Sequence, residues 1–179
     1  KISAILHTGM PIRSWDRELG DESPRLLVLD PAATALRDLA PDALRELIDA
    51  SYSISADGAT VATTWSTAQP GGRSPASIVL IDTASGDRHM VLAADADTRY
   101  TRPRISPDGT TVAAMRSIEP RFDRPWRDEL VLAADCRDPV VVELGDVYPN
   151  EWVWAPTGDI LFVAGDLHGR GAVVAVDPV

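Results

Sequence analysis

The stretch SISADGATVA, Ser53 to Ala62, returns as RISPDGTTVA, Arg104 to Ala113, 51 positions later. A weaker third copy, VWAPTGDILFVAG, runs from Val153 to Gly165, with Gly158 in register 49 positions after Gly109. A period near 50 residues constrains the fold more than composition does, because each copy must be one supersecondary unit stacked on the next. Each copy reads as a strand, a tight Asp-Gly or Thr-Gly turn and a second strand: 52–55 into 61–65, 104–106 into 112–115, and 152–154 into 160–163. Glycine suits such a turn because it accepts positive φ without a Cβ clash.

A third strand follows each hairpin: SIVLID ending at Asp82, ELVLAAD ending at Asp135 and AVVAVD ending at Asp177, with PRLLVLD ending at Asp30 as an earlier copy. After Asp82 the turn TASGD leads into RHMVLA, and after Asp135 CRDP leads into VVVEL, so the unit is four short antiparallel strands. The third strands are apolar at consecutive positions, Ile78 to Ile81 and Val173 to Val176. A sheet with one wet face would alternate apolar and polar residues, so unbroken runs call for cover on both faces. Blades stacked radially supply it, which favours a propeller over a single two-sheet sandwich.

The expected fold is all-β: one domain over 1–179, a partial β-propeller of about three and a half to four four-stranded antiparallel blades. The blades fall at approximately 2–41 (incomplete), 50–93, 101–144 and 150–179 (incomplete). Propellers close with four to eight blades, so a chain that starts and stops inside a blade reads as a fragment; a permuted or exchanged closing strand is the alternative. PDALRELIDA, 41–50, reads as a short helical connector with Leu44, Leu47 and Ile48 on one side.

Bulk properties narrow the function. With 27 acidic residues against 17 basic and a net charge of -10, the chain lacks the positive charge that nucleic acids and anionic membranes attract. No run of about 18 apolar residues is present, so no membrane span is expected. Cys136, the only cysteine, allows neither an internal disulfide nor a structural zinc site, which suits a reducing, cytoplasmic setting. The chain begins with Lys1, so a missing N-terminus would take any targeting segment with it.

The SxDG hairpin followed by a strand ending in Asp is similar to the repeats of TolB-like propellers and of the propeller domain in the prolyl oligopeptidase family of serine peptidases. The loop HTGMPIRSWDRELGDESPRLLVLD, His7 to Asp30, carries RxWDxxLG at Arg13, Trp15, Asp16, Leu19 and Gly20, and resembles the acylaminoacyl-peptidase and dipeptidyl-aminopeptidase branch of that family. The resemblance implies a propeller that gates and positions peptide substrate for a C-terminal α/β-hydrolase domain holding a Ser, Asp, His triad. No GxSxG elbow occurs in this chain, so it has no catalytic residues to nominate, and no cofactor is expected. The alternative is a stand-alone TolB-like propeller that binds protein or peptide.

GDLHG, Gly165 to Gly169, matches a metal-binding signature of calcineurin-like phosphatases, but ten residues remain after Gly169 and cannot supply the further ligands; in repeat register it is a hairpin loop. His7 and His89 have no partner at ligand spacing and read as surface or half-buried histidines. RYTRPR, 99–104, reads as a solvated connection entering the third blade, with a carboxylate-binding site as the lesser alternative. Trp65, Trp152 and Trp154 lie in expected strands and are assigned to the core.

Three loops join second strands to third strands and should emerge on one face: 8–24, 66–76 and 117–129. IEPRFDRPWRDE interleaves Arg121, Arg124 and Arg127 with Glu119, Asp123, Asp128 and Glu129 around Phe122 and Trp126, the composition of a docking rim. Arg13, Trp15, Asp16, Arg121, Arg124 and Trp126 are therefore the candidate binding residues, facing the missing hydrolase domain or the substrate. Blade faces left uncovered would lead the fragment to associate with itself.

Overall fold

The computed structural model describes residues 23–29, 35–69, 72–134 and 138–178, together with the backbone of 13–14 and 17–18. Among these the chain forms only strands, in five antiparallel sheets. β1 (Arg13–Ser14) pairs with β2 (Arg17–Glu18), and β3 (Leu27–Val28) with β4 (Arg37–Asp38). A four-stranded sheet follows, in the order β5 (Tyr52–Ile54), β6 (Thr60–Ser66), β7 (Ala76–Asp82), β8 (Arg88–Leu92). The next repeats it with β9 (Thr98–Ile105), β10 (Thr111–Ile118), β11 (Arg127–Ala134) and β12 (Val140–Val141). The last has β13 (Val147–Trp154), β14 (Leu161–Leu167) and β15 (Arg170–Val176). The fold is all-β, a partial β-propeller.

The repeated phrase folds the same way each time. Ser55 N–H bonds to the Thr60 carbonyl at 2.9 Å, and Ser106 N–H to that of Thr111 at 2.8 Å. The serine hydroxyls donate to Asp57 (2.6 Å) and Asp108 (2.5 Å), and accept from the N–H groups of Thr60 (2.9 Å) and Thr111 (3.0 Å). These bonds hold both carboxyls below their ordinary range, the serine bond being the main cause. Gly58 and Gly109 sit at φ 73° and 74°, where a side chain would be strained. In the third copy Ala155 replaces the serine, keeping the backbone bond to Ile160 (2.8 Å) without the hydroxyl bridge.

Strand alternation sorts the core into three layers. Val61, Val79 and Ile81 face the preceding layer, with Leu39, Ala40, Ala43 and Leu47. Ala62 and Ile78, on the opposite face of the same sheet, pack against Val112, Ala114, Val131 and Ala133 of the next. Ala113, Met115 and Leu130 turn the other way, onto Trp152, Trp154, Leu161 and Val163. The consecutive apolar runs are thus explained: each neighbouring side chain serves a different interface. Burying a residue such as Ile78 or Leu130 contributes about 1.5–3 kcal/mol.

The innermost strands also exchange hydrogen bonds across blades. Ser53 Oγ accepts from Ile105 N–H (3.1 Å), Ser51 Oγ from Arg102 N–H (3.0 Å), and the Arg102 guanidinium donates to the Asn150 carbonyl (2.7 Å).

Three expectations need correction. Residues 41–50 form successive turns closed by bonds such as Ala43 N–H to Ala40 O (3.0 Å) and Ala50 N–H to Leu47 O (3.1 Å), not a helix. Leu44 and Asp49 adopt φ of 48° and 58°, which breaks helical continuity; Leu44 is exposed while Ala43 and Leu47 plug the core. Residues 99–104 are not a connection: they are most of β9, with Tyr100 and Pro103 buried and the arginines outward. Strands β10 and β11 extend further than expected, so the loop between them is 119–126, not 117–129.

Candidate functional site: a charged aromatic rim on one loop face

Antiparallel order places the β6–β7, β8–β9 and β10–β11 connections at one end of their sheets. Bonds between these connections confirm their proximity: Arg73 donates to the Ala96 carbonyl (2.8 Å) and Glu119 N–H to the Asp97 carbonyl (2.7 Å). The 119–126 loop is a small hairpin in which Arg121 and Arg124 bond to each other's carbonyls (2.7 and 3.2 Å), leaving Phe122 and Asp123 at the tip. Phe122 is fully exposed.

Asp97 anchors the hairpin. Its carboxylate receives both the Arg121 guanidinium and, at 3.6 Å, that of Arg124, which also donates to the Glu119 carbonyl at 3.0 Å. Asp97 is itself set by a turn in which the Asp95 carboxylate accepts from the N–H groups of Asp97 (2.8 Å) and Thr98 (2.7 Å). The hydrogen bond from Arg121, with the charges of Arg121 and Arg124, holds the Asp97 carboxyl below its usual range. Arg99 stacks over the Trp126 ring at 4.8 Å from its centroid and pairs with Glu119 at 3.8 Å.

Beneath the rim the charges are compensated. Glu129, 8% exposed, bonds to Arg116 Nε (2.8 Å) and Arg127 Nε (2.6 Å). Tyr148, from the next sheet, donates its hydroxyl to Asp128, which pushes the tyrosine pKa up. Burial raises the Asp128 pKa, but hydrogen bonds with Ser117, Tyr148 and Trp126 and the charge of Arg99 outweigh it, and the carboxyl titrates low. At neutral pH Asp97 and Asp128 are therefore ionised and Tyr148 is neutral, so these three groups are not tuned to exchange protons there.

Of the candidate residues, Arg121, Arg124 and Trp126 are brought together around Asp97 and Arg99. Arg13 lies in β1, its backbone opposite Glu18, while Trp15 and Asp16 lie outside the described residues, as does His7. Sequence reasoning missed Asp97 and Tyr148, and singled out Arg99 only as part of the 99–104 connection with its lesser carboxylate-binding alternative. The signal was available: a connection from fourth strand to next first strand emerges beside the second-to-third loops.

GDLHG is the end of β14 (Gly165 to Leu167) and the His168–Gly169 turn into β15, with His168 at φ 52° and its Nε2 3.5 Å from Asp146. Gly165 is required by packing: a Cβ there would lie 2.2 Å from the Tyr148 carbonyl oxygen. Among the described residues no group of three or more His, Cys, Asp or Glu is placed to hold a metal ion, and no helix is long and apolar enough to cross a membrane.

No protein-family model matches the sequence, and no curated protein matches it. Solved structures do. The chain is similar to TolB from Acinetobacter baumannii at 14% identity and a TM-score of 0.60, over 90% of this chain and 37% of that one. It is similar to a putative TolB from Agrobacterium tumefaciens at 13% identity and a TM-score of 0.60, over 86% of this chain and 52% of that one. A prolyl endopeptidase structure aligns at 17% identity over 72% of this chain and 20% of its own, with a TM-score of 0.49, too low to weigh in assigning fold or function. The two TolB likenesses show the propeller fold, and the chain spans only about a third to a half of those structures.

Proposed function

We propose that this chain is a docking and gating module, with the 119–126 rim as the surface that meets a partner. The observation that carries the proposal is the hairpin itself. Two arginines on one aspartate and a stacked Arg99–Trp126 pair hold a fully exposed Phe122 outward in a fixed geometry. An aromatic presented this way loses little conformational entropy on contact, and aromatic residues and arginine are enriched at protein interfaces.

The partner proposed is the α/β-hydrolase domain of a serine peptidase, with the propeller filtering peptide substrate. The support is the SxDG repeat together with the RxWDxxLG loop at Arg13, Trp15 and Asp16, which resemble the acylaminoacyl-peptidase branch. The second reading, a TolB-like propeller binding a separate protein or peptide, uses the same face and the same repeat.

Site-specific photocrosslinking from position 122 in the full-length protein of the parent gene separates them. Adducts on a GxSxG-bearing domain downstream of residue 179 support the peptidase reading. Adducts on a second polypeptide that also binds the purified chain support the other. Adducts confined to residues 1–179, or none, sink both.

A further inference from the structure

We propose that Arg102, at the inner edge of β9, binds a carboxylate of a peptide that reaches the propeller channel. Arg102 adopts φ 53°, a conformation costly for any residue with a Cβ. The other non-glycine residues with positive φ, Leu44, Asp49 and His168, lie in turns, so among the described residues Arg102 alone is held this way inside a strand. The register of β9 against β10 shows how. Thr101 faces Met115 and Arg104 faces Ala113, so Arg102 and Pro103 together oppose Ala114 in a bulge. Ser51 Oγ of the preceding sheet accepts the Arg102 N–H at 3.0 Å and holds the bulge from the other side.

The side chain is exposed and reaches the next sheet, where its Nη1 donates to the Asn150 carbonyl at 2.7 Å. Asn150 is the extra residue of a matching bulge in β13, between Pro149 and Glu151. β5, β9 and β13 are the first strands of consecutive sheets, the strands that border the central channel of a propeller. β9 is the middle one, so its neighbours on both sides are present: Ser51 precedes β5, and Asn150 belongs to β13.

Charge sets Arg102 apart from the arginines beside it. Arg99 pairs with Glu119 at 3.8 Å, and Arg104 with Glu151 at 2.6 Å. Arg102 makes no ion pair among the described residues, in a chain of net charge -10, and its Nε and Nη2 make no hydrogen bond there. A guanidinium presents its donors as a planar fork that matches a carboxylate through two parallel bonds, and the Nε–Nη2 edge offers that fork. A peptide supplies a carboxylate at its C-terminus or on an acidic side chain. Taking a peptide as the carrier rests on the reading above that peptide meets this propeller; the anion site itself does not involve the 119–126 hairpin.

Calorimetric titration at low salt tests the site, using the full-length protein of the parent gene treated with phenylmethylsulfonyl fluoride so that no peptide is cleaved. The probes are tetra-alanine, its C-terminal amide and N-acetyl-Ala-Asp-Ala-amide, which read the chain-end and side-chain carboxylates separately. At least one acid peptide should bind about tenfold or more tighter than the tetra-alanine amide. Arg102→Gly, which suits the backbone at this position, should fold and lose that preference, while Arg102→Lys should keep part of it. If Arg102 only straps the sheets together, Arg102→Gly will lower stability and leave the acid-to-amide ratio unchanged, which overturns the site. Equal binding of acid and amide peptides overturns it too, and leaves peptide binding standing. Failure of all three peptides to bind overturns it together with the peptide part of the reading above.

Discussion

Trp154 donates its indole N–H to the carbonyl oxygen of Arg104, 2.9 Å away and 50 positions earlier in the chain. One repeat unit thereby grips its predecessor one position out of register, with the ring in the core layer between them. Trp154→Phe keeps most of that packing and removes the bond, so a loss of about 1 kcal/mol is expected in denaturant unfolding. Trp154→Ala also empties the layer and should cost about 3–5 kcal/mol.

The SxDG turns make stability sensitive to acid. The Asp57 and Asp108 carboxyls titrate below their ordinary 3.8 because serine and backbone groups bond to the ionised form. A depressed folded-state pKa contributes stability that is fully present above the unfolded value and is lost as pH falls through the folded one. Unfolding free energy should therefore be insensitive to these groups near neutrality and fall once pH drops below 3.8. Ser106→Ala should cost about 1 kcal/mol at neutral pH and reduce the acid slope, which urea titrations at stepped pH would show.

Gly165 tests the reading of GDLHG as packing. With the Tyr148 carbonyl oxygen 2.2 Å from where a Cβ would sit, Gly165→Ala forces the β13–β14 pair apart. A loss of about 1–3 kcal/mol is expected, measured by thermal unfolding. His168→Ala, in the exposed turn, should change stability by less than about 0.5 kcal/mol.

The repeat made the architecture legible because each SxDG turn and each apolar third strand carries its own local physics. The innermost strand was harder. Arg99, Arg102 and Arg104 suggest solvent, and Pro103 argues against a sheet, yet the register shifts between Ala113 and Met115, so Pro103 sits in a bulge and owes no ladder bond. A one-residue irregularity of this kind leaves no periodic trace. The 41–50 segment misled for a related reason: Leu44, Leu47 and Ile48 have helical spacing, but the positive φ of Leu44 and Asp49 is set by how Ala43 and Leu47 fill the adjoining layer. The rim was half legible. Arg121, Arg124 and Trp126 announce themselves by composition, while Asp97 becomes their anchor only once two loops distant in sequence meet.

Phe122 separates docking from stability. Because its side chain is fully exposed, Phe122→Ser should leave the unfolding free energy within about 0.5 kcal/mol of the parent. The same change should weaken partner contact measurably in a binding titration, by about 1 kcal/mol or more if Phe122 is an anchor. Asp97→Asn, which frees the hairpin, should weaken contact as well while leaving Phe122 in place.

Amide exchange across residues 119–126 tests the docking account most directly, compared between the isolated 179-residue chain and the full-length protein of the parent gene. The account predicts slower exchange at the hairpin in the full-length protein, reversed by Phe122→Ser. Identical rates in the two, with the hairpin open to solvent in both, would contradict docking of the rim onto a domain of the same protein.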